Sequence, residues 1–326
     1  MRLSRFFGGL ILIVTISTTA VAEDRVFTNL QVLDPDISDQ DLSQLMLRNL
    51  RGLGLPRRQS QGCLYCHVGS MDIPSDDWNF ASDEKITKRK ARVMMAMVKD
   101  INESHLGSLE QRLDSDYEIT CFSCHKGRTD PRPIETVLRT TYDSAGVDVT
   151  VDRFKDIKSR YEDAGVYDLR SDVLSGFAWE LASEGNWSDA ITIATANVEV
   201  NPDDVSAEQV LLSVEVWRRV SEQGTDSALA YFDTARQQSV SADHSILDGV
   251  AWTLDRSGQP DKALQLFKHN LQKFPDEYIP NESLGDLLWF SGDRAGGIVY
   301  FEKWVAAHPD HEMGRRRLLN MQADMQ

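Results

Sequence analysis

The sequence predicts an all-α protein, a small cysteine-bearing domain followed by a helical solenoid. Three observations predict it. Apolar residues recur at the three-to-four spacing of one helix face in both halves. All four cysteines fall in two C-x-x-C-H motifs, at residues 63–67 and 121–125. From about residue 140 those motifs cease and a pattern with a period near 34 residues takes over.

The N-terminus, MRLSRFFGGLILIVTISTTAVAED, joins Arg2 and Arg5 to an apolar run and then Ala20-Val21-Ala22. That order is the order of an export signal, so residues 1–22 are expected to be removed after Ala22. The apolar run is too short and wrongly flanked to span a bilayer, and no later stretch is long enough to do so. No Cys follows the signal to take a lipid anchor. The expected location is the periplasm. The formal net charge is −16 at pH 7, and more acidic once Arg2 and Arg5 leave. Such a balance argues against nucleic acid and anionic lipid as partners. It suits a protein partner with a basic docking surface, charge steering the encounter more than setting affinity. Solubility alone is the other reading.

The first helix is expected in SDQDLSQLMLRNLRGLG. Ser38 or Asp39 caps it, Leu42, Leu45, Met46, Leu50 and Leu53 form its stripe, and Gly52 and Gly54 end it. The first motif, Cys63-Leu64-Tyr65-Cys66-His67, follows. A second helix is expected from near Ser82-Asp83-Glu84 to about Asn102. Its positions 86, 90, 94, 97 and 101 share a face, which puts Met94 and Met97 one turn apart. Met95 points away from them with Lys88, Arg92 and Lys99. The second motif is Cys121-Phe122-Ser123-Cys124-His125.

C-x-x-C-H is the attachment signature of c-type haem. Two thiols three positions apart on one helical turn each reach a porphyrin vinyl group, and the next residue offers an imidazole to the iron. Four convergent zinc ligands, a thioredoxin-like pair and two short disulfides are the alternatives. The 58-residue separation is long for a zinc ribbon, no βαβ context is present, and none of the three uses both His67 and His125. Two matches that absorb every cysteine predict two covalently bound haems, with Cys63, Cys66, Cys121 and Cys124 as anchors and His67 and His125 as proximal ligands. Each iron then needs a sixth ligand, and a His/Met pair closes it for electron transfer. Met46 and either Met94 or Met97 are candidates from helical phase, against the reading that all three only pack. Tyr65, Trp78 and Phe122 are candidate neighbours of a porphyrin edge, or ordinary core aromatics. Lys126 and Arg128 pair with a propionate or are solvated, and His105 reads as a surface residue.

The wording QGCLYCHVG, ARVMMAMVKDIN and ITCFSCHKG, each motif behind a helix bearing an inward Met, resembles the cytochrome subunit of photosynthetic reaction centres. The resemblance covers roughly residues 27–135. It implies that Met46 ligates the haem on Cys63 and Cys66. It implies that Met94 ligates the haem on Cys121 and Cys124, with Met97 packing beside the ring. Those subunits carry four haem units and commonly a lipid anchor, and this chain shows two units. The resemblance therefore carries over fold and ligation and not a physiological partner.

In the second half, LSGFAWELASEGNWSDAITIATANVEVNPDD and LDGVAWTLDRSGQPDKALQLFKHNLQKFPDE align at an offset of 73 residues. Trp179/Trp252, Gly185/Gly258, Ala190/Ala263 and Pro202/Pro275 match. A third copy follows at an offset of 34 with Gly292, Gly297 and Pro309, and another unit with Gly224 and Ala228 lies between the first two. These copies resemble tetratricopeptide repeats, which implies stacked helix pairs with a concave surface for protein or peptide. The lead-in, AGVDVTVDRFKDIKSRYEDAGVYDLRSD, resembles the segment that often precedes such repeats in exported enzymes. His244, His269, His308 and His311 are scattered, and no nucleophile–base or metal-ligand arrangement is present. The expected domains are residues 23–139 and 140–326. The expected function is periplasmic electron transfer between protein partners without catalysis. A dihaem peroxidase and an assembly protein of a multihaem complex are the alternatives.

Overall fold

The computed structural model describes residues 27–56, 58–110 and 117–325. The expected leader and its cleavage site after Ala22 lie outside the described residues. Among these there are fourteen α-helices, one isolated antiparallel bridge between Val68 and Asn79, and no strand. The fold is all-α, and no described helix is long and apolar enough to cross a membrane. The chain divides into two compact units, one up to Pro131 and one from Arg132. The boundary expected at 139/140 falls instead inside the helix Ile134–Ala145, whose Ile134, Val137 and Leu138 belong to the core of the second unit. Pro131 and Pro133 set the break, because residues before a proline are pushed out of helical geometry and Pro133 caps the new helix.

In the N-terminal unit, α1 (Asp39–Gly52) starts where the Ser38 side chain accepts from Asp41 N at 3.1 Å. A 3₁₀ segment, Arg58–Tyr65, carries into the first motif. Residues 68–79 then fold back around Trp78, which donates Nε1 to Ser70 O at 2.9 Å. A Cβ at Gly69 would stand 2.5 Å from Trp78 Cγ, so only glycine fits under the ring. Next, α2 (Ile86–Asp100) continues into a π-helical turn, Ile101–Leu106. It begins later than its sequence predicts because residues 80–83 lie alongside the helix and are bonded by Lys88 and Arg92. The short α3 (Cys121–His125) is the second motif itself, fixed by a reciprocal Thr120/Ser123 capping box.

The second unit starts with α4 (Ile134–Ala145) and α5 (Val147–Tyr161). Four helix pairs follow: α6 and α7 (Ser171–Ser183, Trp187–Val200), α8 and α9 (Val205–Glu222, Thr225–Gln238), α10 and α11 (His244–Arg256, Pro260–Lys273), and α12 and α13 (Tyr278–Phe290, Arg294–Ala307). A last helix, α14 (Glu312–Ala323), closes the row. The turns inside the first and third pairs pass through Gly185 and Gly258 at φ 81° and 78°, a conformation that a Cβ disfavours. Ala190 and Ala263, at matching positions, are fully buried where helices cross. Asn197 and Asn270, also matching and fully buried, reach back to the start of the preceding helix: Asn197 Nδ2 donates to Ser171 O at 3.0 Å and Asn270 Nδ2 to His244 O at 2.9 Å.

Candidate haem sites

Burial separates the two units. The second packs a continuous core from Ile134 to Leu287, whereas in the first only Leu50 and Trp78 are buried apolar side chains among the described residues. Several of its other large apolar groups, among them Tyr65, Ile86, Val93, Met94, Met97 and Phe122, stay exposed, and others, such as Met46 and Met95, are half-buried. Exposed apolar groups in this number are a candidate binding surface.

The first motif places Cys63 and Cys66 as free, half-buried thiols. Burial pushes both thiols up, and for Cys66 the Thr87 hydroxyl and the Lys85 charge act against that rise. Backbone bonds from Cys66 N and His67 N to Cys63 O, at 3.1 and 2.9 Å, wind this stretch into a turn with both thiols and the imidazole on it. His67 Nδ1 lies 3.2 Å from Phe80 O. A carbonyl only accepts, so Nδ1 carries the proton and Nε2 keeps its lone pair for a metal. Burial first, and then the Lys88 charge, hold the His67 imidazole below the ordinary histidine range, which favours the neutral, ligating form. The N-terminal end of α2 meets this motif, with Lys85 Nζ donating to Leu64 O and Thr87 Oγ1 to Tyr65 O.

The second motif repeats the scheme. Cys121 and Cys124 are free, and burial pushes the Cys121 thiol up. His125 Nδ1 lies 2.8 Å from Arg128 O, which again leaves Nε2 available. Lys126, next in the chain, ends the helix in the left-handed region at φ 48°. The C-terminal end of α1 packs on this motif: Cys121 Sγ lies 3.4 Å from Asn49 Oδ1, and Gly127 N donates to Gly52 O at 2.9 Å. A Cβ at Gly52 would stand 2.8 Å from Cys121 Cβ and 2.9 Å from Phe122 N, so the approach needs glycine.

The methionines fall on two helices. Met46 is half-buried on α1, one turn before Asn49. On α2 the sequence groups Met95 with Lys88, Arg92 and Lys99, and that face is the covered one except at Lys99, which is exposed. Lys88 is 8% exposed, and Ala91, Arg92, Met95 and Val98 are half-buried beside it. The apolar face with Ile86, Val93, Met94 and Met97 is left open, Met94 and Met97 equally at 45%. Exposure therefore does not separate those two. Sequence reasoning missed Asn102, which clamps the segment entering the second motif. Its Nδ2 donates to Ile119 O at 2.9 Å and its Oδ1 accepts from Ile119 N at 2.8 Å. An Asn at the end of an apolar-faced helix was the available signal. His105 is exposed, 3.6 Å from Asp100. Outside this unit, His308 and His311 are less scattered than their spacing implies, since both rings pack on Trp304, at 3.8 and 5.6 Å between centroids.

Paired free thiols, each pair followed by an imidazole whose Nδ1 meets a carbonyl, on an all-α chain with helical repeats, define the class of c-type cytochromes. The family follows from the sequence match. The model of the photosynthetic reaction centre cytochrome C subunit matches residues 13–204, more than half of the chain, and the chain belongs to that family. The match runs past the expected limit near residue 135 into the first helix pair. No match is found among curated proteins. Among solved structures the chain is similar to a thermophilic TPR protein of Thermus thermophilus, at 16% identity and TM-score 0.29, over 58% of this chain and 97% of that one. It is also similar to MamA, at 15% identity and TM-score 0.27, over 54% and 97%. A third is a tetratricopeptide repeat protein from Parabacteroides merdae, at 13% identity and TM-score 0.28, over 58% and 72%.

Proposed function

We propose that this chain is an exported, periplasmic dihaem cytochrome that passes electrons between protein partners and is not an enzyme. In this reading Cys63 and Cys66 hold one haem and Cys121 and Cys124 the other, with His67 and His125 as proximal ligands. Met46 and Met94 are the distal ligands of the first and second haem, and Met97 packs beside the second ring. The repeat unit from Arg132 onward docks a protein or peptide partner. A bound c-type haem supplies a one-electron ferric/ferrous couple. The chain's own part is to anchor, orient and dehydrate that group.

One observation supports the reading: at both motifs the imidazole Nδ1 meets a backbone carbonyl, at 3.2 and 2.8 Å, which leaves the Nε2 lone pair available to a metal. The open apolar stripe of α2 and the near absence of buried apolar side chains in this unit support it, because a porphyrin would complete that core. The proposed domain limits are a leader over residues 1–22, a haem domain to about residue 131 and repeats thereafter.

Intact-mass measurement should find two haems per chain. Spectroelectrochemical titration of the wild type beside Met46→Ala, Met94→Ala and Met97→Ala tests the distal ligands. Met46→Ala and Met94→Ala should each lower one potential by more than ~59 mV, a tenfold change for a one-electron couple, and Met97→Ala by less. A silent Met94→Ala with a large effect at Met97 moves the ligand one turn along α2. A near-infrared Met–iron band counted per haem should find two. A haem without that band would favour the peroxidase reading.

A further inference from the structure

We infer that the Lys88 ammonium raises the reduction potential of the haem on Cys63 and Cys66, acting through the Phe80 carbonyl and through its own buried charge. This inference rests on the dihaem reading. Phe80 O accepts from two donors at once, His67 Nδ1 at 3.2 Å and Lys88 Nζ at 2.7 Å. A carbonyl already engaged by a cation is a poorer acceptor for the imidazole, so His67 gains less imidazolate character and donates less density to a metal on Nε2. At the second motif the corresponding bond, His125 to Arg128 O, is shorter at 2.8 Å, which has the opposite effect.

The charge acts in the same direction. Lys88 is buried, and its ammonium donates to Phe80 O and to Ser82 O at 2.8 Å and forms an ion pair with Asp83 Oδ1 at 3.3 Å. Asp83 also pairs with Arg92 at 2.5 Å, so one carboxylate faces two cations and the cluster keeps a net positive charge. A positive charge near the iron favours the ferrous state, and burial leaves it poorly screened. At the second motif Lys126 is exposed, where water weakens its field, and Arg128, whose carbonyl meets His125, is half-buried. Lys88 is thus a positioning residue that would act on a haem held by His67 through the Phe80 carbonyl and through its charge.

Two variants of the same ion pair give opposite signs. Lys88→Met keeps the chain length and removes the cation. It should raise the oxidised-to-reduced ratio of the first haem about tenfold at fixed ambient potential, a shift of ~59 mV downward. Asp83→Asn removes the compensating anion and should move the same wave upward. The first-haem wave is the one lost in Cys63→Ala/Cys66→Ala protein, and in that background Lys88→Met should leave the remaining wave in place. Simple loosening of the loop over residues 79–84 would shift both variants in the same direction, and that result overturns the inference. Unchanged first-haem waves in both variants, with two haems found by mass, overturn it while leaving the dihaem reading intact. Absence of haem on Cys63 and Cys66 overturns both. Helical content by circular dichroism checks that each variant is folded.

Discussion

Asp248 on α10 shows how a single polar group is held at a cost. Its Oδ1 is buried without a hydrogen-bond partner, as are His244 Nδ1 one turn earlier and Asn270 Oδ1 on α11. Burial raises the Asp248 carboxyl above its ordinary 3.8, with the Ser283 hydroxyl and His244 acting against the rise and Glu282 adding to it. A raised folded value means that the folded state binds the proton more tightly than the unfolded one. The penalty is therefore present at neutral pH and disappears as pH falls below about 3.8. Asp248→Asn should raise the melting temperature at pH 7, by ~2–4 °C for each ~1 kcal/mol released, and have no effect near pH 3. Calorimetry across that range checks the sign. At the same scale His67 was legible from its motif, but its partner was not. Phe80 lies thirteen residues on, and only the folded loop brings its carbonyl to the ring.

Among the elements, α2 is the one whose reading changes most. Its apolar phase was legible in the spacing of Ile86, Met94 and Met97, and apolar phase ordinarily marks the side turned to the protein. Here the charged side is turned inward, because Lys88 and Arg92 find carbonyls and a carboxylate in residues 80–83 and a further carbonyl at Asn29. A hydropathy pattern registers which residues share a face and is silent on which face a neighbour covers. The repeat helices behave more simply. Where α12 crosses α13, a Cβ on Gly297 would stand 2.7 Å from Gly285 O, closer than side chains tolerate. Gly297→Ala should cost ~1–3 kcal/mol despite its better helix propensity. Gly249→Ala, in the interior of α10 with nothing within 4 Å of the new Cβ, should instead stabilise by up to ~1 kcal/mol. Urea denaturation of the two variants beside the wild type separates these outcomes.

Over the whole molecule, the contrast in burial and the acidic balance set the behaviour. With a net charge of −16, electron exchange with a cationic redox protein should be steered by long-range attraction. Stopped-flow rates should fall steeply between ~10 and ~150 mM ionic strength, as the screening length shrinks from ~30 to ~8 Å. A flat profile would place docking on a local patch indifferent to net charge. The all-α class, the doubled C-x-x-C-H and the four helix pairs were all readable in the chain, since spacing along a helix and a period near 34 residues are local properties. The partner carbonyl of His67, the Asn102 clamp and the inversion of α2 were not. The Phe80 carbonyl at His67, the Ile119 clamp at Asn102 and the Asn29 carbonyl at Arg92 each depend on a segment folding back from 13 to 63 residues away, which no local pattern encodes, whereas the Arg128 carbonyl lies three residues from His125 and the boundary follows from Pro131 and Pro133.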